Sequence, residues 1–313
     1  MAKIIVTHGL PAEGFDLLHE HDVIIPPFLT AFTKEQLMEM IPTADAVVAG
    51  SAMPDEVIEA GKNLKIIANY GAGYDKVDVK AAARCGIPVT NIPEAVTDVT
   101  AELAVALMLA VSRRVGELNN RLRRVNPPEL FGMGKNMGVT LRGKTLGIFG
   151  CGRIGGRVAE IAKVLGMHVI GYCRSGCDPK VAEPVSFDEL IARSDVLSLH
   201  CPLTDETRGV ISRDVIFRMK KGAMLINTAR GAVVDNDALA DALESGHLFA
   251  AGLDVYPQEP QIPERFLSMD NVVLMPHSGS NTYDDRCEMA RACSRQILDA
   301  LAGKRPVNIV NGL

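Results

Sequence analysis

The chain of 313 residues contains no tryptophan, and only 4% of it is aromatic. Surfaces that rely on stacked rings, such as those holding single-stranded nucleic acid, are therefore poorly provided for. Positive charge is not in excess either, since 33 Lys and Arg stand against 38 Asp and Glu for a formal charge of −5. Displacing counterions from a phosphate backbone or settling on anionic lipid needs the opposite balance, so neither nucleic acid nor membrane is an expected partner. Long apolar runs are missing too. The longest, residues 103–111, is about half of the ~20 residues that cross a bilayer, and the N-terminal stretch lacks the apolar core of a signal peptide. The seven cysteines are odd in number and scattered, with no CxxC pair and no zinc-finger spacing. Reduced thiols, a cytoplasmic setting and no metal site are the resulting expectations.

What is present is a chain 47% hydrophobic and longer than the ~250 to 300 residues at which a single core stops growing efficiently, which favours two domains. In the first third, short β-rich runs (Lys3 to Thr7, Val23 to Pro26, Ala46 to Ala49, Lys65 to Asn69, Pro88 to Asn91) alternate with helical stretches such as Lys34 to Met40. This is the pattern of a parallel sheet covered by helices. A long Ala- and Leu-rich helix follows from Asp98, and the Arg-rich run Arg113 to Arg124 reads as a solvated helix face. Six further strand candidates recur at 145–149, 168–172, 196–200, 223–227, 249–255 and 271–275. Such alternation suits the doubly wound dinucleotide fold, whose ligands lie beyond the carboxyl ends of the strands.

Directly after the strand ending at Phe149 comes Gly150-Cys151-Gly152-Arg153-Ile154-Gly155, then a helical run. GxGxxG alone is weak, but strand, tight turn, helix and second strand together give it meaning. Gly150 permits the turn, Gly152 admits a pyrophosphate, and Gly155 lets the helix pack closely, with the helix N-terminus favouring the anion. The second strand should end in an acid if the coenzyme is NAD. It ends instead in Tyr172-Cys173-Arg174-Ser175, and a neutral residue followed by a guanidinium and a hydroxyl suits a 2′-phosphate. NADP(H) is therefore the expected coenzyme, with NAD(H) as the alternative. The run GVTLRGKT (138–145) matches a phosphate loop by letter, yet it leads into a strand where a true phosphate loop opens a helix.

Reducing a carbonyl by hydride needs a proton donor, a cation for the oxygen and a grip on the substrate. Three strand ends offer candidates: Arg230 after LINTA, Glu259 in YPQEP and His277 in HSGS, with His200 in reserve. No Tyr-x-x-x-Lys pair occurs, so a short-chain dehydrogenase mechanism has no residues to run on.

Together these residues resemble the D-isomer-specific 2-hydroxyacid dehydrogenases, with the nearest likeness to glyoxylate/hydroxypyruvate reductases and 2-ketogluconate reductases. The motifs that carry it span nearly the whole chain: NYGAGYDKVD (69–78), TDVTAELAVALML (97–109), GKTLGIFGCGRIGGRVA (143–159), SLHCPLTDETRGVI (198–211), MKKGAMLINTARGAVVD (219–235), AAGLDVYPQEP (250–260) and PHSGS (276–280). The resemblance implies an α/β chain with two doubly wound parallel sheets. A flavodoxin-like substrate domain would comprise 1–98 and 287–313, and a Rossmann coenzyme domain 99–286. It implies that Arg230 binds the substrate carboxylate and carbonyl, His277 donates the proton, Glu259 supports the imidazolium, and amides at Ala72 and Gly73 hold the carboxylate. For the coenzyme it points to Gly150, Gly152, Arg153, Ile154 and Gly155 at the pyrophosphate and to Cys173, Arg174 and Ser175 at the 2′-phosphate. Cys201 and Pro202 would lie beside the adenosine, and Thr228, Asp254 and Gly279 near the nicotinamide. A homodimer through the long helix and the Arg-rich segment is implied as well. Some relatives place a Trp in the partner's pocket, where this chain offers Leu130, Phe131 and Met133.

The expectation is NADPH-dependent reduction of a small 2-oxo acid to the D-2-hydroxy acid. The alternatives are an NAD-dependent D-2-hydroxyacid or phosphoglycerate dehydrogenase and a non-enzymatic NAD(P)H-sensing dimer like the corepressors of the superfamily.

Overall fold

The computed structural model describes residues 1–124 and 130–313. The chain divides into two compact units, one made of Met1–Val96 with Ser280–Leu313 and the other of Thr97–Gly279.

In the first unit, five parallel strands lie in the order β2-β1-β3-β4-β5. They are β1 (Lys3–Val6), β2 (Asp22–Ile24), β3 (Ala46–Ala49), β4 (Ile66–Asn69) and β5 (Val89–Thr90). The runs AVVA and IIAN are buried at every position, as strands covered on both faces must be. Successive side chains alternate between the two cores: Ile5, Val47 and Ile67 pack on one face, Ile4, Val48 and Ile66 on the other. The helix Tyr283–Leu301, capped by Thr282, closes the second face with Met289, Ala290, Cys293 and Ile297. The chain passes back to this unit at Ser280, ahead of the expected 287, because that long helix packs here as one rigid element.

The second unit holds a seven-stranded parallel sheet in the order β12-β11-β10-β9-β6-β7-β8. Its strands are β6 (Thr145–Phe149), β7 (His168–Tyr172), β8 (Glu183–Pro184), β9 (Val196–Leu199), β10 (Ala223–Asn227), β11 (Leu248–Leu253) and β12 (Val272–Leu274). The order reverses between β6 and β9, the switch point at which such sheets bind ligands. The apolar helix Thr97–Ser112 is a core helix: Ala104, Leu107, Met108 and Val111 pack with Ile148, Met224 and Ile226. By contrast, Val115–Arg124 buries none of its residues, and Arg121 and Arg114 pair with Glu117. GVTLRGKT runs through a loop into β6 and opens no helix.

One expectation fails. Cys151 and Cys177 are joined as a disulfide, while the other five cysteines are free. Their separation of 26 residues concealed the pairing, which arises because β6 and β7 are neighbours in the sheet. Gly171 of β7 makes room for both sulfurs, since a Cβ there would lie 2.5 Å from Cys151 Sγ and 2.8 Å from Cys177 Sγ.

Candidate functional site

The candidate residues of the second unit stand on loops that leave the carboxyl ends of its strands. Beyond β6, Gly150 adopts φ 104° and its amide donates to the Tyr172 carbonyl at 2.9 Å. A Cβ on Gly150 would meet the His200 carbonyl at 2.7 Å, so both torsion and space demand glycine. At Gly155 a Cβ would overlap the Gly150 carbonyl. Gly152 differs, because a Cβ there would meet nothing within 4 Å; it caps the helix Arg153–Val164 without a side-chain bond to the first turn. Open space in front of uncapped amides is what an anionic pyrophosphate requires.

Past β7, the turn Cys173 to Gly176 is closed by the Gly176 amide on the Cys173 carbonyl at 2.9 Å. Cys173 Sγ lies 3.2 Å from Ser175 Oγ. Arg174 is exposed and 3.8 Å from Glu206, a loose pair of the kind that holds a side chain weakly. No carboxylate follows β7 directly. Beyond β9, burial drives the His200 imidazole down to about 4, and its Nε2 is 2.8 Å from Ser198 Oγ. A neutral ring bonded to its own strand in this way fits a structural group. Burial likewise pushes the Cys201 thiol up to about 11. Pro202 follows, its carbonyl accepting from Thr207 Oγ1 at 2.7 Å.

The end of β10 carries Thr228 and Arg230. Asn227 bridges the turn, accepting from the Ala229 amide and donating to the Arg230 carbonyl, each at 3.0 Å. Thr228 Oγ1 is buried with no hydrogen-bond partner among the described residues. A buried hydroxyl in that state costs free energy unless a ligand meets it, which fits a coenzyme group at this strand end.

After β11 comes Asp254, 1% exposed. Its carboxylate accepts from the Ser278 amide at 2.6 Å and the Gly279 amide at 2.9 Å, while its carbonyl accepts from the His277 amide at 2.9 Å. Burial raises its pKa, and the two amides and His277 oppose that rise. Asp254 thus clamps the whole loop beyond β12. Within that loop His277 takes φ 54°, a left-handed conformation rare for a residue with a side chain. Its Nδ1 lies 2.7 Å from Glu259 Oε2, and the other Glu259 oxygen accepts from the Tyr256 amide at 3.2 Å. With one ring nitrogen engaged by a carboxylate, Nε2 is the nitrogen left to act. The structure therefore brings His277 and Glu259 together, and it seats Arg230 on the neighbouring strand end.

In the first unit, Ala72 and Gly73 lie in the loop after β4. Asn69 Nδ2 donates to the Gly71 and Gly73 carbonyls, both at 3.0 Å, and Asn91 Nδ2 donates to the Ala72 carbonyl at 2.8 Å. The carbonyls are thereby tied back. The amides of Ala72 and Gly73 meet no acceptor among the described residues, an arrangement suited to an anion. Sequence reasoning missed Asn69, Asn91, Asn227 and the clamping part of Asp254. The one available signal was an amide or carboxylate placed at or just after the end of a buried strand.

Comparisons with known proteins agree with this geometry. A family profile described as "D-isomer specific 2-hydroxyacid dehydrogenase, NAD binding domain" matches residues 105–279. The glyoxylate reductase of Thermococcus litoralis is 39% identical over 324 residues, covering 99% of this chain and 96% of its own. The D-3-phosphoglycerate dehydrogenase of Methanocaldococcus jannaschii is 38% identical over 99% of this chain and 60% of its own length. Among solved structures, an NADPH-dependent glyoxylate/hydroxypyruvate reductase from Sinorhizobium meliloti, in complex with NADP and malonate, superposes with a TM-score of 0.86 at 28% identity. That match covers 99% of this chain and 96% of the other. With its glycine loop, its two parallel sheets and this likeness along its length, the chain belongs to the D-isomer-specific 2-hydroxyacid dehydrogenases, a family of NAD(P)-dependent oxidoreductases.

Proposed function

We propose that the protein reduces a small 2-oxo acid of the glyoxylate, hydroxypyruvate or 2-ketogluconate type to the D-2-hydroxy acid, using NADPH in preference to NADH. The observation that carries this reading is the 2.7 Å bond between His277 Nδ1 and Glu259 Oε2 at the strand-end edge that also bears the glycine loop. Glu259 fixes the ring's orientation and offsets the charge of its imidazolium form, so that Nε2 delivers a proton to the substrate oxygen. The Arg230 guanidinium grips the carboxylate and stabilises charge developing on that oxygen. In the first unit, the amides of Ala72 and Gly73 are suited to a carboxylate. A bound nicotinamide coenzyme supplies the hydride. Gly150, Gly152, Arg153, Ile154 and Gly155 would hold its pyrophosphate, Cys173, Arg174 and Ser175 its ribose phosphate, Cys201 and Pro202 its adenosine, and Thr228, Asp254 and Gly279 its nicotinamide end.

The preference for NADPH is supported by the absence of an acid directly after β7 and by Arg174 and Ser175 in its place. Arg174→Ala should raise KM for NADPH far more than KM for NADH, and equal effects would refute the phosphate assignment. The decisive experiment is a panel of glyoxylate, hydroxypyruvate, 2-ketogluconate and 3-phosphohydroxypyruvate with both coenzymes, followed at 340 nm. Failure to turn over any of them would sink the reading. We further infer a homodimer formed through the helices Thr97–Ser112 and Val115–Arg124, on which Leu109, Val115 and Leu122 are exposed. Sedimentation as a monomer would overturn it.

A further inference from the structure

Cysteines gather around the glycine loop, and proton and hydride transfer make no use of their sulfur chemistry. Cys151 sits between Gly150 and Gly152 and is bonded to Cys177, with Cα atoms 5.5 Å apart. Cys177 directly follows the Cys173 to Gly176 turn, whose Gly176 has φ 90°. The disulfide therefore ties the segment that would cradle the pyrophosphate to the segment that would read the ribose phosphate. Both of its residues are only partly buried, within reach of small thiols and disulfides. Cys173 lies at the same place. Burial works against its ionisation, but hydrogen bonds from the Ser175 hydroxyl, the Ser175 amide and the Cys151 amide, together with Arg174, outweigh burial and hold the thiol below its usual range.

We propose that Cys151 and Cys177 form a reversible thiol-oxidation site whose disulfide tightens coenzyme binding. The inference rests on reading the glycine loop as the coenzyme site. In the forward step a low-molecular-weight disulfide of the glutathione class is the oxidant. One protein thiolate attacks it and releases one small thiol, and the second protein thiolate attacks the resulting mixed disulfide and releases the other. Two protein thiols lose two protons and two electrons, one S–S bond forms and one breaks, and two small thiols are produced. Pairing is compatible with an intact loop, because the paired state is the one in which Gly150 makes its turn and Gly152 faces open space. Reduction frees both segments, and the coenzyme must then order them itself. Removing that cost in advance should lower Kd by about three- to tenfold. By reciprocity, bound coenzyme should favour the disulfide by the same factor in a glutathione redox buffer.

The test uses the full chain, reduced with a phosphine or oxidised with oxidised glutathione, and mapped by mass spectrometry of its cysteine peptides. NADPH is titrated by its fluorescence without any 2-oxo acid. The proposal expects a Cys151–Cys177 linked peptide, a Kd at least threefold lower in the oxidised form, and loss of that difference in Cys177→Ser and Cys177→Ala with kcat kept. It is overturned if the linkage does not form, if Cys151 pairs with Cys173 instead, if the oxidised and reduced forms bind within twofold of each other, or if the Cys177 variants still respond. Absence of NADPH binding in both forms would remove the coenzyme reading as well. Binding that ignores redox state removes this inference alone.

Discussion

The two units are built on the same plan and furnish their strand ends differently. At the edge of the first sheet, side chains serve the backbone: Asn69 and Asn91 tie down carbonyls so that amides are left to face an anion. At the edge of the second, side chains again brace the backbone, but the loops they brace carry side chains of their own with chemistry to offer. Asp254 clamps the His277 loop, and Asn227 braces the turn that carries Arg230. A parallel sheet can thus offer either a fixed dipole or a proton-transfer group at the same topological position, depending on whether the braced loop presents its own amides or a side chain it carries.

That contrast can be broken by substitution. The largest effect is expected from His277→Asn, chosen because Asn tolerates the left-handed backbone. It should lower kcat by about 10²- to 10⁴-fold with coenzyme Kd preserved, and unchanged kcat would remove His277 from the reaction. Arg230→Gln should lower kcat/KM for the 2-oxo acid by roughly 100-fold or more, again without weakening NADPH binding in a direct titration. In the first unit, Asn69→Ala should act on KM and spare kcat, raising KM about tenfold through loss of two loop hydrogen bonds. A matching fall in kcat would erase the distinction between the units. The smallest effect concerns pH. His200 titrates at about 4 when folded against 6.5 as a free side chain, so the unfolded chain binds the extra proton between those values. Stability from this residue is complete above pH 6.5 and falls as the pH drops towards 4, by about 3 kcal/mol in all. Urea unfolding of His200→Gln across that window should show a flatter profile.

Much of the fold was legible because parallel strands buried on both faces announce themselves as short unbroken apolar runs. KIIV, AVVA, IIAN, TLGIF and AMLIN all lie in strands. Strand β8 escaped because Glu183–Pro184 is a two-residue exposed edge with no apolar signal. The glycine loop was readable because three glycines fall within six residues between a strand and a helix, two of them where a Cβ would clash. The disulfide was not, since it depends on which strands become neighbours and on the missing side chain of Gly171, 20 residues from one partner and six from the other. The Asn props were equally hidden, because an amide after a strand looks the same whether it binds its own loop or a ligand.

The glycine at 231 has a last consequence. A side chain there would overlap the main chain at Tyr256 and Pro257, so the turn bearing the guanidinium rests directly on the stretch whose Tyr256 amide steadies the Glu259 carboxylate. In the proposed reaction, substrate anchor and acid support would share one piece of scaffolding. Shifting one to admit a bulkier substrate would drag the other along, which leaves residues at the far end of the substrate as the freer place to tune selectivity.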